Sequence, residues 1–113
     1  MSLKNDIVKE DAEQYRKTNG IVLRTILERW RVSKFSWRDL IMMLDAYNIA
    51  KEDVMESVLC FNESGYITAR LKENHQIVSM WDYVDELDEL EFNLAKAGRD
   101  AAYNIANDPS IDM

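Results

Sequence analysis

The stretch GYITARLKENHQIV, residues 65–78, decides the fold because its apolar residues follow a different spacing from those on either side. Apolar and polar side chains alternate over residues 67–71, which is the period of a β-strand with one buried face. Residues 73–74 (Glu-Asn) then supply a two-residue turn, and Asn tolerates the positive φ that such a turn needs. This turn sets Ala69 opposite Val78 on the returning strand. The stretch therefore predicts a β-hairpin with one apolar face.

Helical spacing of apolar residues recurs four times before the hairpin. The predicted helices lie at about residues 5–17, 21–31, 37–46 and 51–64. A break at residues 18–20 (Thr-Asn-Gly) is expected to separate the first two, because Asn and Gly accept the left-handed conformation that ends helices. Ser36 is expected to cap the third helix, since Asp39 follows three residues later in a pattern similar to a capping box. Gly65 is expected to end the fourth.

Beyond the hairpin the helical spacing returns, and Ser79 with Asp82 gives a second capping-box pattern. The resulting helix, at residues 81–107, would be up to about 28 residues or roughly 42 Å long at 1.5 Å per residue. A domain of this size cannot cover such a length, so we expect the apolar stripe of this helix to be buried against a second copy in a homodimer. The stripe consists of Val84, Leu87, Leu90, Leu94, Ala101 and Ile105. Residues 108–113 are expected to be a disordered tail.

The order of these elements resembles the winged helix-turn-helix superfamily over about half of the chain, residues 21–80. The segment FSWRDL, residues 35–40, is similar to the opening of the positioning helix. Ile49, with Val54 and Val58, is similar to the buried turn and the inward stripe of the recognition helix. The segment ESGYI, residues 63–67, is similar to the entry into the wing.

The resemblance implies an α+β fold that is mostly helical, with a three-helix core and a β-hairpin wing. Residues 1–20 would form an N-terminal helical arm, residues 21–80 the winged-helix domain and residues 81–107 the dimerisation helix. For function it implies a DNA-binding transcriptional regulator, in which the third core helix enters the major groove while the wing and the second helix contact phosphates. The residues placed on that DNA surface are Lys34, Arg38, Lys51, Glu52, Arg70, Lys72 and His75.

The third core helix departs from the DNA-binding pattern, because its solvent positions include carboxylates that repel phosphates. The alternative is a protein-interaction module or adaptor that does not bind DNA. Met55 and Leu59 would then form an exposed apolar centre for a protein partner. These two side chains could instead pack against the N-terminal segment or the C-terminal helix.

Composition excludes several other classes. The chain has 113 residues with one Cys and one His, too few for an internal disulfide or a four-ligand zinc site. It has no Gly-rich phosphate loop and no Ser/His/Asp or Cys/His set, so we expect no enzymatic activity, cofactor or metal. It has no run of about 18 apolar residues, so we expect a cytoplasmic protein without a membrane partner.

The net charge of −7 is distributed unevenly. Residues 1–80 hold 12 Lys/Arg and 12 Asp/Glu, whereas residues 81–113 hold two and nine, so the excess of acid lies entirely in the last segment. Because salt screens charges beyond roughly 10 Å, a basic face within residues 21–50 is compatible with DNA. The same arginines are equally consistent with an ordinary solvated helix face.

Overall fold

A layer of helices covers one face of a four-stranded antiparallel sheet in the computed structural model, which describes the backbone of residues 2–103 and the side chains of residues 13–102. The α-helices are α1 (Ser2–Trp30), α2 (Trp37–Asp45), α3 (Lys51–Glu63) and α4 (Lys96–Tyr103). The strands are β1 (Phe35–Ser36), β2 (Ile67–Leu71), β3 (Ile77–Val78) and β4 (Leu90–Leu94), in the order β1-β4-β2-β3. Two 3-10 helices, Met80–Tyr83 and Leu87–Glu89, connect β3 to β4. The predicted α+β class with mostly helical content is confirmed.

The predicted boundaries of α2 and α3 are confirmed to within one residue. The Ser36 hydroxyl accepts a hydrogen bond from the Asp39 amide at 3.1 Å, which satisfies one of the free N–H groups at the start of α2. Gly65 follows α3 with a φ of +79°, a conformation that lets the Tyr66 amide donate to the Phe61 carbonyl at 2.8 Å. The chain can therefore leave α3 and enter β2 at once.

The hairpin register is confirmed, although its turn differs from the predicted one. Ala69 pairs with Val78, as expected. The Leu71 amide donates to the Gln76 carbonyl at 3.0 Å, and the residue with positive φ is His75, at 61°, rather than an Asn. The loop is therefore longer than the predicted two residues. The pairing of the strands is unchanged because the extra loop residues are shared equally between the two sides.

The predicted break at Thr18-Asn19-Gly20 is wrong, because α1 continues through it. All three residues are buried, and Thr18 lines a cavity together with Asp53 and Glu56 of α3. The sequence pattern that suggested a helix end thus lies in a buried part of a continuous helix.

The predicted long helix over residues 81–107 is also wrong. Residues 90–94 form β4, which lies between β1 and β2 and pairs with both. A strand in this position forms hydrogen bonds with the backbone groups at the free edge of β2, which a helix could not do. Leu90, Phe92 and Leu94 point into the core, where each is at most 4% exposed.

The apolar stripe that suggested a homodimer is therefore used within the domain. Leu87, Leu90 and Leu94 belong to the core, while Val84 and Ala101 are partly buried against it. Ile105 and the predicted tail, residues 108–113, lie outside the described residues. Within the described part of the chain, no helix combines the length and the apolarity needed to cross a bilayer.

Candidate interaction surfaces

Three of the residues predicted to bind DNA gather on the outer face of the sheet. The Glu91 carboxylate oxygen Oε1 lies 2.7 Å from Nδ1 of His75 and 3.6 Å from Nζ of Lys34. On the same face, Nη1 of Arg70 donates to Oδ1 of Asn93 at 2.9 Å. A single carboxylate thus faces two of the expected phosphate contacts.

The environment of Glu91 favours the ionised form of its carboxyl group. Its side chain is 15% exposed, and the hydrogen bond with His75 is the main reason that its pKa is lower than usual. The charge of Lys34 contributes in the same direction, whereas burial opposes it. Because the carboxylate is ionised at neutral pH, it reduces the positive potential that phosphates would meet at this face.

The other predicted DNA contacts lie on different elements, and all are exposed. Lys72 is in the hairpin loop and Arg38 is in the first turn of α2. Lys51 and Glu52 are in the first turn of α3. The residues predicted to contact DNA thus lie at four separate places, namely the sheet, the hairpin loop and the first turns of α2 and α3.

The solvent face of α3 is acidic. Glu52, Asp53, Glu56 and Glu63 are all exposed, while Val54, Val58 and Phe61 point into the core. At about 100° per residue, Glu52, Glu56 and Glu63 project within roughly 40° of one another. Lys51 is the only basic residue in this helix. In the winged-helix resemblance, this is the face that would enter DNA.

A groove runs along the contact between α1 and α3 and continues to the first 3-10 helix. It consists of two adjoining cavities of about 300 Å³ each, which share Tyr15 and Glu56. We name it the acidic groove and define it by the residues that line it, which are Gln14, Tyr15, Thr18, Asp53, Glu56, Leu59, Cys60, Glu63 and Trp81. Three carboxylates and two aromatic rings line this groove. Neither Lys nor Arg is among its described lining residues.

Tyr15 connects the two sides of the acidic groove. Its pKa is raised, chiefly by burial and then by the hydrogen bond to the Cys60 thiol. The hydroxyl therefore stays neutral at physiological pH and keeps its proton for hydrogen bonding. Trp81, at the other end, is 53% exposed and offers a large ring surface to solvent.

The predicted protein contact at Met55 and Leu59 does not form as expected. Leu59 is only 5% exposed and belongs to the core, and Met55 is half-buried against it. The prediction of an exposed apolar centre is therefore wrong for Leu59. Intramolecular packing, which the sequence left open, accounts for this side chain.

An exposed apolar surface lies instead on α2, where Met42 is 69% exposed. A groove on one side of Met42 is lined by Arg29, Trp30, Asp39, Met43 and Ala46. A second groove, on the other side, is lined by Ile41, Asp45, Ile49 and Lys51. We name the apolar part formed by Trp30, Met42, Met43 and Ala46 the methionine ridge. No prediction from the sequence included this ridge, although two methionines beside the inward stripe of an amphipathic helix indicated it.

Comparison of the chain with protein-family models, with curated proteins and with solved structures finds no match. Within the described residues, no group of three or more His, Cys, Asp or Glu side chains is placed to hold a metal ion. Function must therefore be argued from the charge and shape of the surfaces described above.

Proposed function

We propose that the chain is a winged-helix interaction module that binds a basic segment of a protein partner in the acidic groove. The strand order supports the winged-helix assignment. β1, which lies between α1 and α2 in the chain, is next to β4 in the sheet, and β4 pairs with β2, the strand that follows α3. In this assignment β3 and the two 3-10 helices extend the wing between β2 and β4.

The acidic face of α3 is the observation that carries the proposal. A winged helix that binds DNA places this helix against a polyanion, where each carboxylate adds repulsion and releases no counterions. Glu52, Glu56 and Glu63 share this face, and Lys34 and His75 lie against the carboxylate of Glu91. The charge pattern therefore favours a positively charged partner over a nucleic acid.

The groove beside that face has the chemistry to hold lysine or arginine side chains. Its three carboxylates can form charge-assisted hydrogen bonds with ammonium or guanidinium groups. The rings of Tyr15 and Trp81 can attract the same cations through their faces. Two adjoining cavities with a shared centre suit an extended segment that carries more than one basic side chain.

Fluorescence anisotropy with a short labelled Lys/Arg-Ser peptide tests the proposal. We expect saturable binding that weakens about tenfold or more when Glu56→Gln and Glu63→Gln are combined, because both changes remove charge from the groove. Trp81→Ala leaves the charge unchanged and is expected to weaken binding through the loss of the ring. All three positions are exposed, so the variants should keep the fold.

The matched control combines Asp85→Asn with Asp88→Asn. Both residues are exposed and lie outside the groove lining, so this pair changes the net charge equally and should bind like the wild type. If both pairs weaken binding equally, only general attraction to an acidic protein is present, and the proposed site is wrong.

DNA binding remains a prediction of the fold resemblance, and a duplex of mixed sequence at about 50 mM salt tests it. Our proposal expects no binding under these conditions. Duplex binding that falls steeply with salt and is unaffected by the change at Glu56 and Glu63 would favour the regulator and contradict the proposal.

A further inference from the structure

We infer that the methionine ridge is the surface through which two copies of this chain form a two-fold symmetric dimer. The first observation is exposure. Met42 is 69% exposed, and Tyr47, two residues after the helix, is 55% exposed. Met43 and Trp30, which line a groove together with Met42, are half-buried. Large apolar side chains that adjoin one another at a surface are typical of a contact site, and methionine adapts well to a partner surface.

The charges around the ridge argue for a second copy as the occupant. One flanking groove holds Arg29 and Asp39, and the other holds Lys51 and Asp45. Each groove thus contains one cation and one carboxylate. Among the described residues, none of these four side chains forms a salt bridge. All four charges are therefore available to a partner molecule.

Local neutrality matters because the whole chain carries a charge of −7. Two copies of an acidic protein repel each other, and the repulsion is greatest where acidic surfaces meet. The acidic groove would oppose carboxylate to carboxylate in a symmetric contact. The methionine ridge instead adjoins two grooves in each of which one cation balances one carboxylate, so these grooves bring no excess of like charge to a second copy.

Two-fold symmetry makes this surface self-complementary. In such an interface every contact occurs twice. If one residue of the first copy contacts a different residue of the second copy, the same two residues are also in contact with the copies exchanged. Arg29 of one copy can then face Asp39 of the other, and the reverse contact forms at the same time. An axis near Met42 would place the two methionine side chains together at the centre.

The mass of the full chain in solution, measured by sedimentation equilibrium, tests this inference. The wild type is expected to show twice the 13.2 kDa chain mass at micromolar concentration. Met42→Glu should raise the dissociation constant at least about tenfold, because it buries a charge at the centre of the contact. Ile77→Glu is the matched control, since Ile77 is 65% exposed but lies on β3, and it should leave the mass unchanged.

Charge reversal tests the orientation of the two copies. Arg29→Asp alone and Asp39→Arg alone should each weaken the dimer, because each brings like charges together. The double variant should restore it, since the exchanged pair is again complementary. These side chains are exposed, and circular dichroism of each variant checks that the fold is retained.

Two results would overturn the inference, and a third would overturn the proposed orientation of the two copies. A wild-type monomer at micromolar concentration would exclude the dimer. Loss of the dimer by Ile77→Glu with retention in Met42→Glu would place the contact at the edge of the sheet. Failure of the double reversal to restore a dimer weakened by both single changes would exclude the Arg29–Asp39 pairing. None of these measurements depends on the acidic groove, so the proposed function is tested separately.

Discussion

Asn62 joins the end of α3 to the segment after the hairpin, and replacing it with alanine should destabilise the domain strongly. Its Nδ2 group donates to the Ile67 carbonyl at 2.9 Å, and its Oδ1 atom accepts from the Met80 amide at 3.0 Å. Both bonds are partly buried. One side chain therefore forms hydrogen bonds with backbone groups at the start of both β2 and the first 3-10 helix.

The expected loss follows from those two bonds. A net hydrogen bond contributes about 0.5–1.5 kcal/mol, and a buried group left without a partner costs about 1–3 kcal/mol. Because Met80 is fully buried and Ile67 is 1% exposed, water cannot easily replace the amide side chain. We expect Asn62→Ala to lower the free energy of unfolding by about 2–4 kcal/mol, a large part of the roughly 5–15 kcal/mol typical of a small domain.

Urea unfolding followed by tryptophan fluorescence measures this change, with linear extrapolation to water. Asn74→Ala is the matched control. The Asn74 side chain accepts a hydrogen bond from the Gln76 amide at 2.9 Å, but in an exposed turn where water can take its place. This control should lose less than about 1 kcal/mol.

A loss below about 0.5 kcal/mol for Asn62→Ala would refute the reasoning. That result would mean that the Met80 amide does not depend on Asn62. The experiment thus tests the placement of the chain after β3 as well as one side chain.

Two further predictions concern α4 and the sheet. Gly98→Ala should lower the free energy of unfolding by about 1–3 kcal/mol in the same urea assay, because a Cβ atom at this position would overlap the Tyr66 carbonyl oxygen. An unchanged urea midpoint would contradict the packing of α4 against that carbonyl. The pKa of Glu91 is lowered in the folded state, so its ionised carboxylate stabilises the fold at pH values above the usual pKa of glutamate. This stabilisation is lost as the pH falls through the pKa of the folded state. The stability difference between the wild type and Glu91→Gln should therefore be largest near neutral pH and shrink in acid, and a difference that grows in acid would show that His75 and Lys34 do not favour the ionised form.

The parts of the fold that could be predicted from the sequence depend on local signals. Ser36 begins a helix through its own hydroxyl, and Gly65 ends one through a conformation that other residues rarely adopt. The hairpin register likewise follows from alternation within 14 residues, 65–78. These features need only neighbours in the chain, so one sequence contains them.

The segment after the hairpin could not be predicted in the same way, because its apolar residues fit two periods. Leu87, Leu90 and Leu94 have helical spacing, whereas Leu90, Phe92 and Leu94 alternate as in a strand. The choice between them depends on the free edge of β2, which is a tertiary effect. Phe92 was the available clue, since it fits the strand pattern and lies outside the helical stripe.

The acidic groove shows the same division between local and distant information. The carboxylates of α3 are visible in the sequence because they share one helix. Tyr15 and Trp81 are 66 positions apart, and only the folded chain brings both to the same groove. Sequence reasoning therefore found the charge of the site but missed the aromatic side chains beside it.

The two proposed surfaces have a joint consequence, because they use different residues and can be occupied together. A dimer through the methionine ridge would carry two acidic grooves, one on each copy. A partner with two basic segments would then bind the second groove at an effective concentration that reaches the millimolar range for short flexible linkers. Exposed ion pairs contribute little singly and weaken with salt. Bivalent attachment would let such weak contacts hold a partner firmly, and Met42→Glu should then reduce affinity for a two-segment peptide while leaving affinity for a single segment unchanged.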